Sequence, residues 1–159
     1  MKTAFITGTT SGFGRAFALR LAQLGYNLII TGRRKERLNE LAEIVKRDFQ
    51  VEVLTLNFDV RDNEACKSAV NSLPEKFQKI DLLVNNERMI DTNVKGLLYI
   101  TKLIIPGMIE RQSGHIVNIS SIAGIEVYPN GSVYCASKHA VNAITKGLRI
   151  DLVKQGIRV

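Results

Sequence analysis

Three side chains in the last third of the sequence could together move a proton. Tyr134 and Lys138 are four residues apart, so on a helix they share one face one turn apart. A phenol is ordinarily protonated at neutral pH, but a neighbouring ammonium stabilises the phenolate and lowers its pKa. Tyr134 could then exchange a proton with an alcohol or a carbonyl. Ser121 follows the apolar run 115–119 and offers a hydroxyl that could hold the same oxygen. Taken singly, each residue has an ordinary reading: Ser121 as a turn residue, Tyr134 as a half-buried aromatic, Lys138 as a solvated helix residue.

A second constellation lies at the N-terminus, Thr7-Gly8-Thr9-Thr10-Ser11-Gly12-Phe13-Gly14, between an apolar run and an amphipathic stretch. Its three glycines would let the backbone turn tightly, approach a pyrophosphate with no Cβ in the way, and pack the start of a helix against a strand. The helix N-terminus would then face the phosphates. Gly8, Thr10, Ser11, Gly12, Phe13 and Gly14 are therefore expected to lie against a dinucleotide; the alternative is a tight strand-to-helix turn with no ligand. Arg33 and Arg34 follow the second apolar run. A site that prefers NAD places an acidic residue there, whereas arginine pairs with a 2′-phosphate, so the two arginines point to NADP. The other reading of Arg33-Arg34-Lys35 is a solvated cluster at a helix start, where positive charge is mildly unfavourable.

Positioning these groups requires an ordered framework, and the hydrophobic pattern supplies one. Strand-like runs at 2–6, 26–31, 51–58, 82–85 and 115–119 alternate with helical stretches at 15–24, 34–49, 63–77, 87–110 and 134–154, and 157–159 begin a sixth strand. Such alternation predicts an α/β chain: a Rossmann-type, doubly wound parallel sheet in a three-layer α/β/α arrangement, with residues 1–159 as a single domain. One junction does not fit. The run ending Asn85-Asn86 passes straight into the helix expected from Glu87, where a connector of about 2–6 residues is usual. A missing loop between Asn86 and Glu87 is expected, as is a C-terminal part absent after Val159.

Composition narrows the function classes. The chain has 159 residues, 45% of them apolar, enough to bury a core, and its mean hydropathy is close to zero. No run approaches the roughly 20 apolar residues of a spanning helix. The N-terminus reaches its glycine turn too soon for a signal peptide, so a cytoplasmic location is expected. Cys66 and Cys135 form no CxxC pair, and no metal site is expected. The net charge of +7 is spread along helical segments rather than gathered in one block, which disfavours a nucleic-acid partner.

Together these motifs resemble the short-chain dehydrogenase/reductase family along almost the whole chain. The resemblance rests on Gly8-x-x-x-Gly12-x-Gly14, Asp59-Val60, Asn85-Asn86, Asn93 within Asn93-Val94-Lys95-Gly96, Ser120-Ser121, and Tyr134-x-x-x-Lys138. It implies that Tyr134 is the general acid/base, that Lys138 lowers its pKa and bonds the nicotinamide ribose, and that Ser121 orients the substrate oxygen. It further implies that Asn93 holds a water in a proton relay, that Asp59 meets the adenine amino group with Val60 beside the ring, and that Asn85 supports the cofactor. Two departures stand out: the family continues Asn85-Asn86 with Ala-Gly and a loop, and it continues past the sixth strand with a lid and a seventh strand. The runs 31–38 and 115–121 are most similar to bacterial NADP-dependent 3-hydroxy acid dehydrogenases that also oxidise serine.

The resemblance also implies a homo-oligomer, a tetramer or dimer, built through the helices starting at Glu87 and Tyr134. Their apolar residues Leu97, Leu98, Ile100, Leu103, Ile104, Val141, Ile144 and Leu148 cover much of each circumference. A different class of function, a catalytically silent NADP-binding redox sensor or scaffold, would need none of Ser121, Tyr134, Lys138 and Asn93. The expected activity is thus hydride transfer between NADP(H) and a small hydroxy acid or secondary alcohol.

Overall fold

Six short strands pair side by side and all in parallel: β1 (Thr3–Ile6), β2 (Asn27–Gly32), β3 (Val53–Asn57), β4 (Leu82–Asn85), β5 (Gly114–Asn118) and β6 (Ile157–Arg158), in the order β3-β2-β1-β4-β5-β6. This computed structural model describes residues 1–86 and 91–159, with 91 and 92 described by their backbone. Parallel strands covered on both faces read as continuous apolar runs, which is why β1 is buried at every position. The alternation of side chains along each strand divides the core. Phe5, Ile29, Leu83 and Ile116 face one layer, whereas Ala4, Ile6, Leu28, Ile30 and Val84 face the other.

Helices α1 (Gly12–Gln23) and α2 (Lys35–Phe49) cover the second face through Ala18, Leu21, Leu38, Leu41 and Val45. On the first face lie α3 (Asn63–Asn71), α4 (Glu75–Gln78), α5 (Leu97–Glu110) and α6 (Ser132–Leu152), contributing Cys66, Phe77, Ile100, Ile104, Met108 and Leu152. Full burial of each such side chain stabilises the fold by roughly 1.5–3 kcal/mol. The expected three layers are present, and the strand order reverses between β1 and β4. In open α/β sheets that crevice, at the carboxyl ends of the strands, is where ligands bind.

The sequence pattern misjudged two elements. The single helix expected over 63–77 is two, because Pro74 has no N–H to donate and disfavours helical geometry at Leu73 before it; Pro74 instead starts α4, its carbonyl accepting from Phe77 at 2.8 Å. The long helix expected from Glu87 begins outside the described residues, and its 91–96 portion (Asp91–Gly96) is π-helical before α5 starts at Leu97. The surface reading of α5 and α6 also changes. Leu97, Ile100, Ile104 and Val141 belong to the core, Leu103, Ile144 and Leu148 are half-buried, and only Leu98, at 42%, is exposed among the eight. Among the described residues no helix is long and apolar enough to cross a membrane, and no group of three or more His, Cys, Asp or Glu could hold a metal.

The edge pairing carries a pH dependence. His115 on β5 is paired in register with Arg158 on β6, and burial, followed by the Arg158 charge, holds its imidazole below the ordinary 6.5. The unfolded chain therefore binds the extra proton more readily, so stability rises with pH through the window just below 6.5 and is fully present above it. Melting temperatures measured from pH 5 to 8 are expected to climb across that window and then level, and His115→Gln is expected to flatten the climb. An unchanged slope in the variant would assign the dependence to other groups.

Candidate active site

The glycine turn sits at the strand-order reversal and is locked from both sides. Gly8 and Gly12 have φ of +66° and +57°, a region that only glycine enters freely. A Cβ on Gly8 would overlap the backbone oxygen of Asn86, and one on Gly14 would lie 2.6 Å from Asn86 Nδ2. Asn86 grips the turn from the end of β4: its N–H donates to Thr7 Oγ1 at 3.0 Å and its Nδ2 donates to the Gly8 carbonyl at 3.1 Å. From β2, the Thr31 carbonyl accepts from both the N–H and the hydroxyl of Thr9, each at 3.0 Å. The first turn of α1 carries no acidic residue, and Ser11, at its N-cap, makes no side-chain cap. Among the described residues no side chain caps its first N–H groups, and the bare glycine backbone leaves room for an anion to approach, which fits a pyrophosphate.

The two arginines do different things. Arg34 folds back onto the turn, donating from Nη2 to Thr10 Oγ1 at 2.8 Å and to Ser11 Oγ at 3.1 Å. Arg33 is largely exposed and leans across the end of β3, its Nη1 lying 3.8 Å from Asp59 Oδ2. Asp59 itself is gripped by Arg61, whose Nε donates to both carboxylate oxygens at 2.9 and 3.0 Å. The hydrogen bonds from Arg61 hold the Asp59 carboxyl below its usual range, with the Arg33 charge adding to them. Val60 is buried against Gly96, where any Cβ would come within 2.8 Å of it. Asp59, Arg61, Asp62, Lys95 and Tyr99 line an open cleft of about 530 Å³ beside this end of the sheet.

Asn85 turns inward rather than into the crevice. Its Nδ2 donates to Thr101 Oγ1 on α5 and to Asn118 Oδ1 on β5, each at 3.0 Å, and Asn118 Nδ2 donates to Thr145 Oγ1 on α6 at 3.0 Å. This buried polar ladder joins two strands and two helices, so Asn85 supports the crevice by fixing the elements around it. Asn118, Thr101 and Thr145 were not singled out from the sequence. For Asn118 the available signal was a polar residue between Val117 and Ile119 in an apolar strand; Thr101 and Thr145, each followed by a lysine, carried no comparable signal.

Ser121, just past the carboxyl end of β5, and Tyr134 and Lys138, both on α6, are brought to the same region where α6 packs on the turn that follows β5. Ser121 caps a short 3₁₀ turn (Ile122–Gly124), its Oγ accepting from the Ala123 N–H at 3.2 Å, which leaves its own O–H to donate elsewhere. Gly124 brings that turn against α6; a Cβ there would lie 2.6 Å from Asn142 Nδ2 and 2.9 Å from the Lys138 carbonyl. Tyr134, in the first turn of α6, is 38% exposed, whereas Lys138 is only 4% exposed. The Lys138 ammonium donates to the Ile119 carbonyl at 3.0 Å and lies 5.8 Å from the centroid of the Tyr134 ring. Asn93, from the π-helical segment, reaches α6 by donating from Nδ2 to Ser137 Oγ at 2.8 Å. A solvent-reachable phenol with a buried cation beside it can exchange a proton with a bound oxygen, and the Ser121 hydroxyl lies on the turn packed against the same helix.

One further tyrosine, Tyr128, lies close to Tyr134. Its ring packs against Gly131, where a Cβ would come within 2.6 Å of ring carbon Cδ2. Partial burial, then Cys135 and Tyr134 nearby, hold the Tyr128 phenol above its ordinary value.

Comparison with known proteins agrees with this geometry. A model of the short chain dehydrogenase family matches residues 2–86 and 87–159. The sulfoacetaldehyde reductase 2 of Chromohalobacter salexigens is 46% identical over 173 aligned positions, covering 97% of this chain and 68% of that protein. The NADP-dependent 3-hydroxy acid dehydrogenase of Salmonella typhi is 42% identical, with 97% and 68% covered. Among solved structures, the closed form of serine dehydrogenase complexed with NADP+ superposes with a TM-score of 0.91 at 39% identity, over 99% of this chain and 69% of that one. A short-chain dehydrogenase from Sphingobium yanoikuyae in complex with NADPH gives 0.91 at 29% identity, with 99% and 68% covered.

Proposed function

This chain belongs to the short-chain dehydrogenase family and is an NADP-dependent oxidoreductase acting on hydroxyl groups, and from that premise we propose that it interconverts a small hydroxy acid and its carbonyl counterpart with Tyr134 as general acid/base. The observation that carries the reading is the buried Lys138 ammonium, tied to the Ile119 carbonyl and set beside a solvent-reachable phenol. NADP, when bound, supplies or accepts the hydride. The glycine turn and the start of α1 receive its pyrophosphate, and Arg33, with Arg34 behind it, receives the 2′-phosphate. Asp59 and Val60 border the adenine, with Arg61 orienting the Asp59 carboxylate. Lys138 holds negative charge at the Tyr134 oxygen and bonds the nicotinamide ribose, while Ser121 donates its proton to the substrate oxygen. Tyr134 moves the proton to or from that same oxygen.

The hydroxy-acid assignment draws on relatives whose names describe acids or acidic aldehydes, among them the 3-hydroxy acid dehydrogenase and the sulfoacetaldehyde reductase. The family match divides between Asn86 and Glu87, and the 173 aligned positions outnumber the 159 residues of this chain. Both support a loop missing at that junction. Self-association is proposed through α5 and α6, where Leu98 and Ile150 remain exposed, as does Val153 just past the end of α6.

The test is oxidation of L-serine, 3-hydroxybutyrate, 3-hydroxyisobutyrate and a simple secondary alcohol by the full-length protein with NADP, NAD being run alongside. Turnover of the hydroxy acids with NADP is the expected result. Turnover of the secondary alcohol alone would move the substrate class. NADP binding with no turnover across the panel would favour a redox sensor or scaffold instead.

A further inference from the structure

Ser137 lies between the two residues of the acid/base pair and is 1% exposed, while Asn93, its partner across the helix interface, is 2% exposed. Its hydroxyl donates to the Tyr134 carbonyl at 2.7 Å and faces Asn93 Nδ2 at 2.8 Å. A carbonyl can only accept, and a hydroxyl has one proton, so the Ser137 proton goes to Tyr134 and the Ser137 oxygen must accept from Asn93. That direction also settles which way the Asn93 amide points. A one-way chain of hydrogen bonds, Asn93 to Ser137 to Tyr134, therefore connects the π-helical segment Asp91–Gly96 to the backbone that carries the phenol. π-Helical turns are rare and concentrate at functional sites. This one places its buried amide against Ser137, one turn beyond the start of α6.

We propose that Ser137 is a positioning residue, whose hydroxyl fastens the π turn at Asn93 to the Tyr134 backbone and so sets where the phenol stands relative to Lys138 and the end of β5. The inference rests on the reading of Tyr134 as general acid/base. It assigns Ser137 no contact with substrate or cofactor. Its effect is on turnover far more than on cofactor affinity, because the glycine turn and Arg33 are held by β4, β2 and β3, and Lys138 keeps its own bond to the Ile119 carbonyl.

Ser137→Ala in the full-length enzyme is expected to lower kcat for L-serine oxidation about tenfold, equivalent to about 1.4 kcal/mol in the barrier, with NADPH affinity by fluorescence titration unchanged. Ser137→Thr keeps the hydroxyl and is expected to recover most of the loss. In an Asn93→Ala background, Ser137→Ala is expected to cost little more, since the link is already cut. Amide exchange provides a readout that does not depend on turnover of any probe: peptides spanning 91–96 and 132–138 should exchange faster in Ser137→Ala than in wild type, and a β1 peptide should not. Equal exchange in those peptides, or an undiminished kcat beside an inactive Tyr134→Phe, overturns the role of Ser137 alone. Retained turnover in Tyr134→Phe overturns the reading beneath it.

Discussion

Tyr134→Phe is expected to cut turnover by about 10²–10⁴-fold, the range that a positioned general acid/base contributes, while NADPH binding stays close to wild type. The separation follows from the geometry. Phenylalanine keeps the ring, which packs beside the Lys138 ammonium at 5.8 Å, and Lys138 keeps its bond to the Ile119 carbonyl. Only the oxygen that carries the proton is lost. Steady-state kinetics with NADP and a panel substrate, run beside an NADPH fluorescence titration, separate the two quantities. Loss of both together would mean that the ring change disturbed the fold. A variant with more than about a tenth of wild-type turnover would move the acid/base role elsewhere, and Tyr128, close to Tyr134, would be the next residue to substitute.

Arg33→Ala is expected to weaken NADPH by roughly 10–100-fold and to leave NADH almost unaffected, because hydrogen bonds to a charged group contribute about 1.5–3 kcal/mol. Arg33 is the cleaner probe of the pair. Its guanidinium is exposed and, among the described residues, makes a long ion pair to Asp59 at 3.8 Å and no other, so its removal disturbs little else. Arg34 also stitches the phosphate turn through Thr10 and Ser11, so Arg34→Ala is expected to weaken both cofactors, NADPH more. Dissociation constants for the two nucleotides, at more than one ionic strength, test this, since a phosphate contact at an exposed site weakens as salt rises. Equal losses for NADPH and NADH in Arg33→Ala would remove the 2′-phosphate from this position.

Much of this protein was readable before any coordinates. The apolar runs had period and length enough to predict a parallel sheet, and Gly8, Gly12 and Gly14 marked its phosphate turn because only glycine accepts those dihedrals or leaves that space. Tyr134 and Lys138 could be paired because helical spacing is a local rule. Arg33 and Arg34 could be placed by counting from the turn, but their division of labour could not, since it depends on β3 carrying Asp59 to the side of β2.

Sequence alone therefore determined what was local: strands, turns, the face shared by two helical residues, and the chemistry each side chain could perform. Contacts that cross between distant segments were decided only by the tertiary structure. Asn86 reaches the turn 78 residues before it, Asn93 reaches Ser137 over 44, and Asn85 reaches Asn118 over 33. No spacing rule connects such pairs, because their separation in space is set by which strands pair, β1 with β4 and β4 with β5, and by how α6 packs against the π turn. The break at Pro74 is a local effect of proline that the helical pattern overrode, whereas the π turn at Asp91–Gly96 has no local signal and lies where that segment packs against α6.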